Sequence, residues 1–291
     1  MSVKDNYFGS IGMALSCSLF LEGALKRYKN FTCDVDEDMM SLIKEWNIIL
    51  LSILKDDKYK AILGVAGSKL IKNICEYKGF VDKCVSGAPD VSLQSLHYSL
   101  RFQESVSFLK GKRNNDGGLK FCDLGCGLNP LGIIFQERYN LSSVYCVDVS
   151  SEITDLYALA ANSLCGKSPE FVAWGNAKQM SCKDGLNTVI SVGCLPHMAL
   201  DDQKKYLCDI NRFFDNFFVE IKYKKQDDCI NSNDAFSIKE LQKLRLEIGA
   251  VDNIETAMIR NSMRYLFKFI HSKPNYKEFL VNRSRSLFLS R

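Results

Sequence analysis

The run Phe121-Cys122-Asp123-Leu124-Gly125-Cys126-Gly127-Leu128-Asn129-Pro130-Leu131-Gly132 carries the densest chemical signal in the 291-residue chain. Two glycines one residue apart, directly after an apolar run, let the backbone turn tightly and let a ligand approach without meeting a Cβ. Asn129 is suited to cap a helix, and Pro130 to occupy its first position, where no hydrogen bond is lost. The loop should therefore open onto a helix N-terminus. A second apolar run ends in Val147-Asp148, with Asp148 standing 23 residues past Gly125. An acidic side chain there can accept hydrogen bonds from both hydroxyls of a ribose. A nucleotide-like ligand is implied. The dinucleotide fingerprint G-x-G-x-x-G is not met, because Pro130 follows where the third glycine belongs. Asp123 would also set a negative charge beside a pyrophosphate, whereas a carboxylate there suits a cationic ligand.

Asp123, Gly125 and Gly127 form a D-x-G-x-G pattern, and with Asp148 at the end of the second strand it resembles the signature of class I S-adenosylmethionine-dependent methyltransferases. The block Asp123 to Leu131 more narrowly resembles the aminoglycoside-resistance methyltransferases that modify guanine N7 in small-subunit rRNA. His97-Tyr98-Ser99-Leu100-Arg101 matches that family's H-x-S-x-R element. Cys194-Leu195-Pro196-His197, followed by Asp201-Asp202-Gln203, matches its Leu-Pro segment. The resemblance implies S-adenosyl-L-methionine as cofactor, a Rossmann-like α/β fold with a seven-stranded sheet and an N-terminal helical domain, and a role in rRNA processing and antibiotic resistance. It further implies that Arg101 pairs with the methionine carboxylate of the cofactor in the bidentate geometry guanidinium favours. Asp123 faces the cationic methionine end, Gly125, Gly127 and Asn129 shape the loop, and Asp148 holds the ribose. Asn176 stands where an aspartate is expected to face the adenine, and its amide oxygen can accept from the adenine amino group. The chain departs from the family at Val219-Glu220-Ile221-Lys222-Tyr223-Lys224-Lys225, where a Ser-Phe-Pro-Thr-Arg-like stretch belongs.

On the acceptor side, Lys222, Lys224 and Lys225 are expected to follow the fifth strand, interleaved with Tyr223. Phosphate neutralisation beside an aromatic platform suits RNA. The methyl carbon of a sulfonium is already an activated electrophile, so a ring nitrogen with a free lone pair needs positioning rather than a general base. No Asn-Pro-Pro-Tyr/Phe motif is present to suggest exocyclic amino methylation. His197 and Tyr223 are the positioning candidates. The expected partner is RNA, with the small ribosomal subunit as the family's target. A small-molecule acceptor under a helical lid, or a catalytically silent cofactor-binding scaffold, remain the alternatives.

The elements that must position these residues follow from periodicity. Leu42, Ile43, Trp46, Ile49, Leu50 and Ile53 form a helical stripe, as do Leu63, Ala66, Leu70 and Ile74. Residues 1–110 therefore read as an N-terminal helical domain. Residues 111–273 read as the cofactor domain, with strands at 119–124, 143–149, 170–175, 186–192, 217–222, 251–258 and 263–271. Helices at 130–139, 153–164, 201–214 and 237–248 alternate with them, which argues for βαβ units. The last two strands are too close for a crossover and should form an antiparallel hairpin. Residues 274–291 read as a basic C-terminal tail.

Composition narrows the class. The formal net charge is +4, all of it from the C-terminal third, and from Arg260 onward eight basic residues face Glu278 alone. Such a face attracts polyanions. Twelve cysteines are scattered with no C-x-x-C, and three histidines lie far apart. No metal site is expected, and the cysteines read as reduced residues of a cytoplasmic protein. The apolar stretch Phe8 to Leu21 is broken by Gly9, Ser10, Gly12, Ser16 and Ser18, so no membrane span is expected.

Overall fold

The computed structural model describes residues 35–57, 101–113, 119–141, 144–148, 150–171, 186–195 and 198–224, and short pieces at 18, 21–23, 25, 236–237, 239–240, 242–243, 252–253 and 285–290. By its contacts the chain divides into two compact units, Met1–Trp174 and Gly175–Arg291.

The first unit contains α1 (Glu37–Ile53), α2 (101–113), β1 (Phe121–Leu124), α3 (Leu131–Tyr139), β2 (Val144–Val147), α4 (Ser151–Cys165) and β3 (Glu170–Phe171). β1 and β2 run parallel with Phe121 opposite Val144 and Leu124 opposite Val147, and β3 continues parallel beyond β2. Every residue of β1 and β2 is buried, so these strands show no alternation of buried and exposed positions and, Asp123 aside, are apolar throughout. Helix α4 begins at Ser150, whose Oγ accepts from the Ile153 N–H, and ends at left-handed Gly166. Helix α1 is capped by Asp36, which accepts from the Met39 N–H at 2.9 Å.

The stripe on α1 has an unexpected destination. Trp46, Leu50 and Leu54 share one core with Cys126, Leu128, Ile133, Cys146, Ile153, Leu156 and Tyr157. Arg138 in the last turn of α3 pairs with Asp36 at 3.1 Å and with Asp38 at 2.7 Å. The boundary between the compact units falls after Trp174, and within the first unit α1 buries its apolar face against α3 and α4. Periodicity reveals that a face is buried, not what buries it.

The second unit contains β4 (Thr188–Ser191), α5 (Leu200–Phe213), β5 (Asn216–Lys224), β6 (Phe236–Ser237), β7 (Asp252–Asn253) and β8 (Arg285–Ser290). β4 and β5 are parallel, with Thr188 opposite Asn216, and β6 runs parallel to the end of β5. β8 is antiparallel to β5, with Phe218 opposite Ser290 and Tyr223 opposite Arg285, and β7 pairs antiparallel with β8.

Three sequence expectations are corrected here. Eight strands, not seven, occur among the described residues, and the antiparallel partner of β7 is β8, drawn from residues expected to form a basic tail. In Arg285-Ser-Leu-Phe-Leu-Ser290 a short continuous apolar run, Leu287 to Leu289, is bounded by serines, a brief β signal that the surrounding positive charge obscured. The expected strand 263–271 lies outside the described residues. Lys222 and Lys224 also do not follow β5 but belong to it, because pairing with β8 as far as Tyr223 and with β6 at Lys224 extends the strand.

Candidate functional site

The site is built where β1 ends. Gly125 and Gly127 have φ of 74° and 53°, values that strain any residue with a Cβ. The turn is laced to β2: the Gly125 and Cys126 N–H groups both donate to the Val147 carbonyl, at 2.7 and 3.0 Å. The Asn129 N–H donates to the Cys126 carbonyl. Helix α3 starts at Leu131 with Pro130 as its cap residue, one position later than expected from the sequence. Asn129 still satisfies an orphan donor, since its Oδ1 accepts from the Leu131 N–H at 3.1 Å.

Asp148 is brought to this loop. Its Oδ2 accepts from the Gly127 N–H at 3.0 Å and its Oδ1 from the Ser150 N–H at 3.1 Å. The carboxylate is half-buried. Asp123 lies within β1, 5% exposed, and its Oδ2 is buried without a hydrogen-bond partner. Burial, with the negative charge of Asp148 added, pushes its pKa up to about 7. Two carboxylates on adjacent strands thus share one end of the sheet, one held by backbone N–H groups and the other short of a donor. That arrangement favours a cation and disfavours an anion.

The floor of the site is apolar. The Cys126 thiol hydrogen-bonds that of Cys146, and this bond together with burial pushes the Cys126 pKa well up. Such a thiol is inert. The Tyr157 hydroxyl accepts from the Ile133 N–H at 3.3 Å. A Cβ added at Gly132 would come within 3.1 Å of that hydroxyl, 3.2 Å of the Cys146 Sγ and 3.2 Å of Val144, so Gly132 permits the close approach of α3 to β2. The Trp46 indole N–H donates to the Leu128 carbonyl at 3.0 Å, and its ring lies 4.7 Å from that of Tyr157. The sequence marked Trp46 only as part of a stripe and gave Tyr157 no role.

The structure therefore brings together Asp123, Gly125, Gly127, Asn129 and Asp148. Arg101 stands, half-buried, at the first described turn of α2 in the same unit, where its carbonyl accepts from the Ser105 hydroxyl. In the second unit the loop after β4 turns at Gly193, with φ of 77°, and the Gly193 N–H donates to buried Glu220 of β5 at 2.8 Å. The sequence did not single out Glu220. Tyr223 lies in β5 beside Lys222 and Lys224. Asn176, His197 and Lys225 lie outside the described residues. Among the described residues there is no cluster able to hold a metal ion, and no helix is long and apolar enough to cross a membrane.

No family model and no curated protein matches the chain. Among solved structures, it is similar to magnesium protoporphyrin IX methyltransferase from Synechocystis PCC 6803 with bound SAH, at 15% identity and a TM-score of 0.44 over 68% of this chain and 85% of that one. It is also similar to the methyltransferase domain of a bacterial Hen1, at 16% identity and a TM-score of 0.40 over 52% and 85%. A third is phosphoethanolamine N-methyltransferase 2 of Haemonchus contortus in complex with S-adenosyl-L-methionine, at 14% identity and a TM-score of 0.42 over 60% and 48%. These likenesses are remote, and the functional reading rests on the chain's own geometry.

Proposed function

We propose that the chain is a class I S-adenosylmethionine-dependent methyltransferase whose cofactor sits on the Gly125–Asn129 loop. The observation that carries this reading is the pair of carboxylates at the ends of β1 and β2. Asp148 is oriented toward the loop by the Gly127 and Ser150 N–H groups, and Asp123 is buried with an unsatisfied oxygen. A pyrophosphate there would meet like charge at short range, whereas the ammonium of a methionine moiety supplies the missing donor. The residues thus fit the group. When bound, S-adenosylmethionine supplies an electrophilic methyl carbon on a sulfonium. The protein's own part is to hold the ribose at Asp148, to offer the glycine backbone as a close-fitting surface, and to present Asp123 to the cationic end, whose charge stabilises the ionised carboxylate. Arg101 takes the methionine carboxylate and Asn176 the adenine edge.

The acceptor we propose is a base nitrogen in structured RNA, the small ribosomal subunit being the first candidate, in a cytoplasmic setting. Support comes from Lys222, Tyr223, Lys224 and Lys225, together with the register that sets Arg285 opposite Tyr223. A segment of the basic C-terminal stretch thereby joins the lysine-bearing strand, concentrating positive charge as phosphate contacts require. His197 and Tyr223 are positioning candidates, and no general base is needed. The test is incubation with methyl-labelled cofactor followed by mass spectrometry of rRNA and of metabolite fractions. Label in rRNA supports the reading, label in a metabolite replaces the RNA acceptor by a small molecule, and no binding of S-adenosylhomocysteine in calorimetry overturns the methyltransferase assignment.

A further inference from the structure

We propose that Trp46 is a positioning residue for the cofactor loop, acting from a helix far away in sequence through its bond to the Leu128 carbonyl. This deepens the cofactor reading and rests on it. The loop is fixed at three successive residues by three different devices. Gly127 donates to Asp148, the Leu128 carbonyl accepts from Trp46, and Asn129 caps Leu131. The first and third are local to the loop and its neighbouring strand. The second spans 82 residues and is the link the loop's own sequence cannot provide. Leu128 is 1% exposed and Trp46 fully buried, so water cannot replace the indole, and a carbonyl left without a donor there is costly.

The indole is aimed rather than merely packed. Its ring lies 4.7 Å from Tyr157, tilted by 58°, and the Tyr157 hydroxyl accepts from the Ile133 N–H. Trp46 thus grips the loop while Tyr157 grips the first turn of the helix that follows, and the two rings brace each other across the joint. Loop residues flanked by left-handed glycines have several turns open to them, and the Trp46 bond selects the one in which the Gly127 N–H meets Asp148. Cofactor affinity should therefore depend on the indole N–H and not only on the ring.

The experiment compares full-length variants. Trp46→Phe keeps an aromatic ring against Tyr157 and removes the N–H. Arg138→Gln breaks the pairs with Asp36 and Asp38 that join α1 to the far end of α3 and leaves the loop untouched. Calorimetry with S-adenosylhomocysteine should show a rise in Kd of about fivefold to tenfold for Trp46→Phe, the equivalent of one buried hydrogen bond, and an unchanged Kd for Arg138→Gln. In a wild-type 1H–15N correlation spectrum, the indole resonance that Trp46→Phe abolishes should shift on saturation with S-adenosylhomocysteine. This second readout keeps the proposal testable if Trp46→Phe folds poorly, since the resonance is then assigned with Trp174→Phe. An unchanged Kd in Trp46→Phe, or an indole resonance that ignores a ligand the wild type binds, overturns the role of Trp46 alone. Failure of the wild type to bind S-adenosylhomocysteine overturns the cofactor reading and this proposal with it.

Discussion

Replacing Asp123 by asparagine isolates one proton. In the folded chain the Asp123 carboxyl is pushed from its ordinary 3.8 up to about 7 by burial and by Asp148. A carboxyl whose folded pKa is raised binds its proton more tightly in the native than in the unfolded state. Stability is therefore highest below the unfolded pKa and declines as pH rises through the folded one. Between about pH 4 and pH 7 the unfolded chain holds about one proton fewer at this position, and the loss approaches about 1.4 kcal/mol per pH unit, or about 4 kcal/mol across the window. The amide introduced by Asp123→Asn does not titrate, and the cost of its own unsatisfied N–H groups is independent of pH. The quantity to measure is thus the difference in unfolding free energy between wild type and Asp123→Asn, by urea titration at pH 4, 5, 6, 7 and 8 in fixed salt. Titrating groups that do not interact with Asp123 cancel in that difference. The wild type should lose ground steadily from pH 4 to 7 and level off above. Saturating S-adenosylhomocysteine should flatten the trend, because its ammonium restores a partner to the ionised carboxylate. A difference that stays constant over pH 4–8 refutes the reasoning, since Asp123 would then be neither buried nor strained by Asp148 as described.

Asp148→Ala removes the acceptor for Gly127, Ser150 and the ribose, and should weaken cofactor binding by about 1–3 kcal/mol in calorimetry; unchanged affinity would remove Asp148 from the site. Gly132→Ala gains about 1 kcal/mol of helix propensity but puts a Cβ within 3.1–3.2 Å of three side-chain atoms. Overpacking of that kind costs about 1–3 kcal/mol, so a lower urea midpoint is expected, and a higher one would show that the α3–β2 contact yields. Charge reversal of Lys224 and Lys225 should weaken RNA binding and flatten its log–log salt dependence by about one unit per lost phosphate contact. Filter binding that shows no change in slope would favour a small-molecule acceptor.

The loop and Asp148 were legible in the sequence because their grammar is local. A strand, a glycine turn and a helix start occupy twelve consecutive residues, and Asp148 follows at the next strand end. The same locality made α3, α4 and α5 readable to within a residue or two. What stayed hidden depends on partners distant in the chain. Nothing around Trp46 announces a hydrogen bond to Leu128, since a buried indole in a helical stripe looks the same whether or not its N–H is used. The charged context of residues 274–291 outweighed six residues of β pattern. Glu220 lay inside an apolar strand, and its bond to Gly193 becomes visible only when β4 and β5 are set side by side.

The pairing of β5 with β8 also sets an order of events in folding. Tyr223 and Arg285 face each other across about sixty residues of chain, so this contact is among the most non-local in the second unit and its loop-closure cost is met late. Until residues 285–290 have been synthesised and have docked, one edge of β5 has no antiparallel neighbour, although the strand carries Phe217, Phe218, Val219 and Ile221. An open edge of that composition recruits other strands. Residues 285–290 therefore act as the chain's own shield against self-association, and nascent or truncated forms ending before residue 285 should aggregate even with the cofactor loop intact.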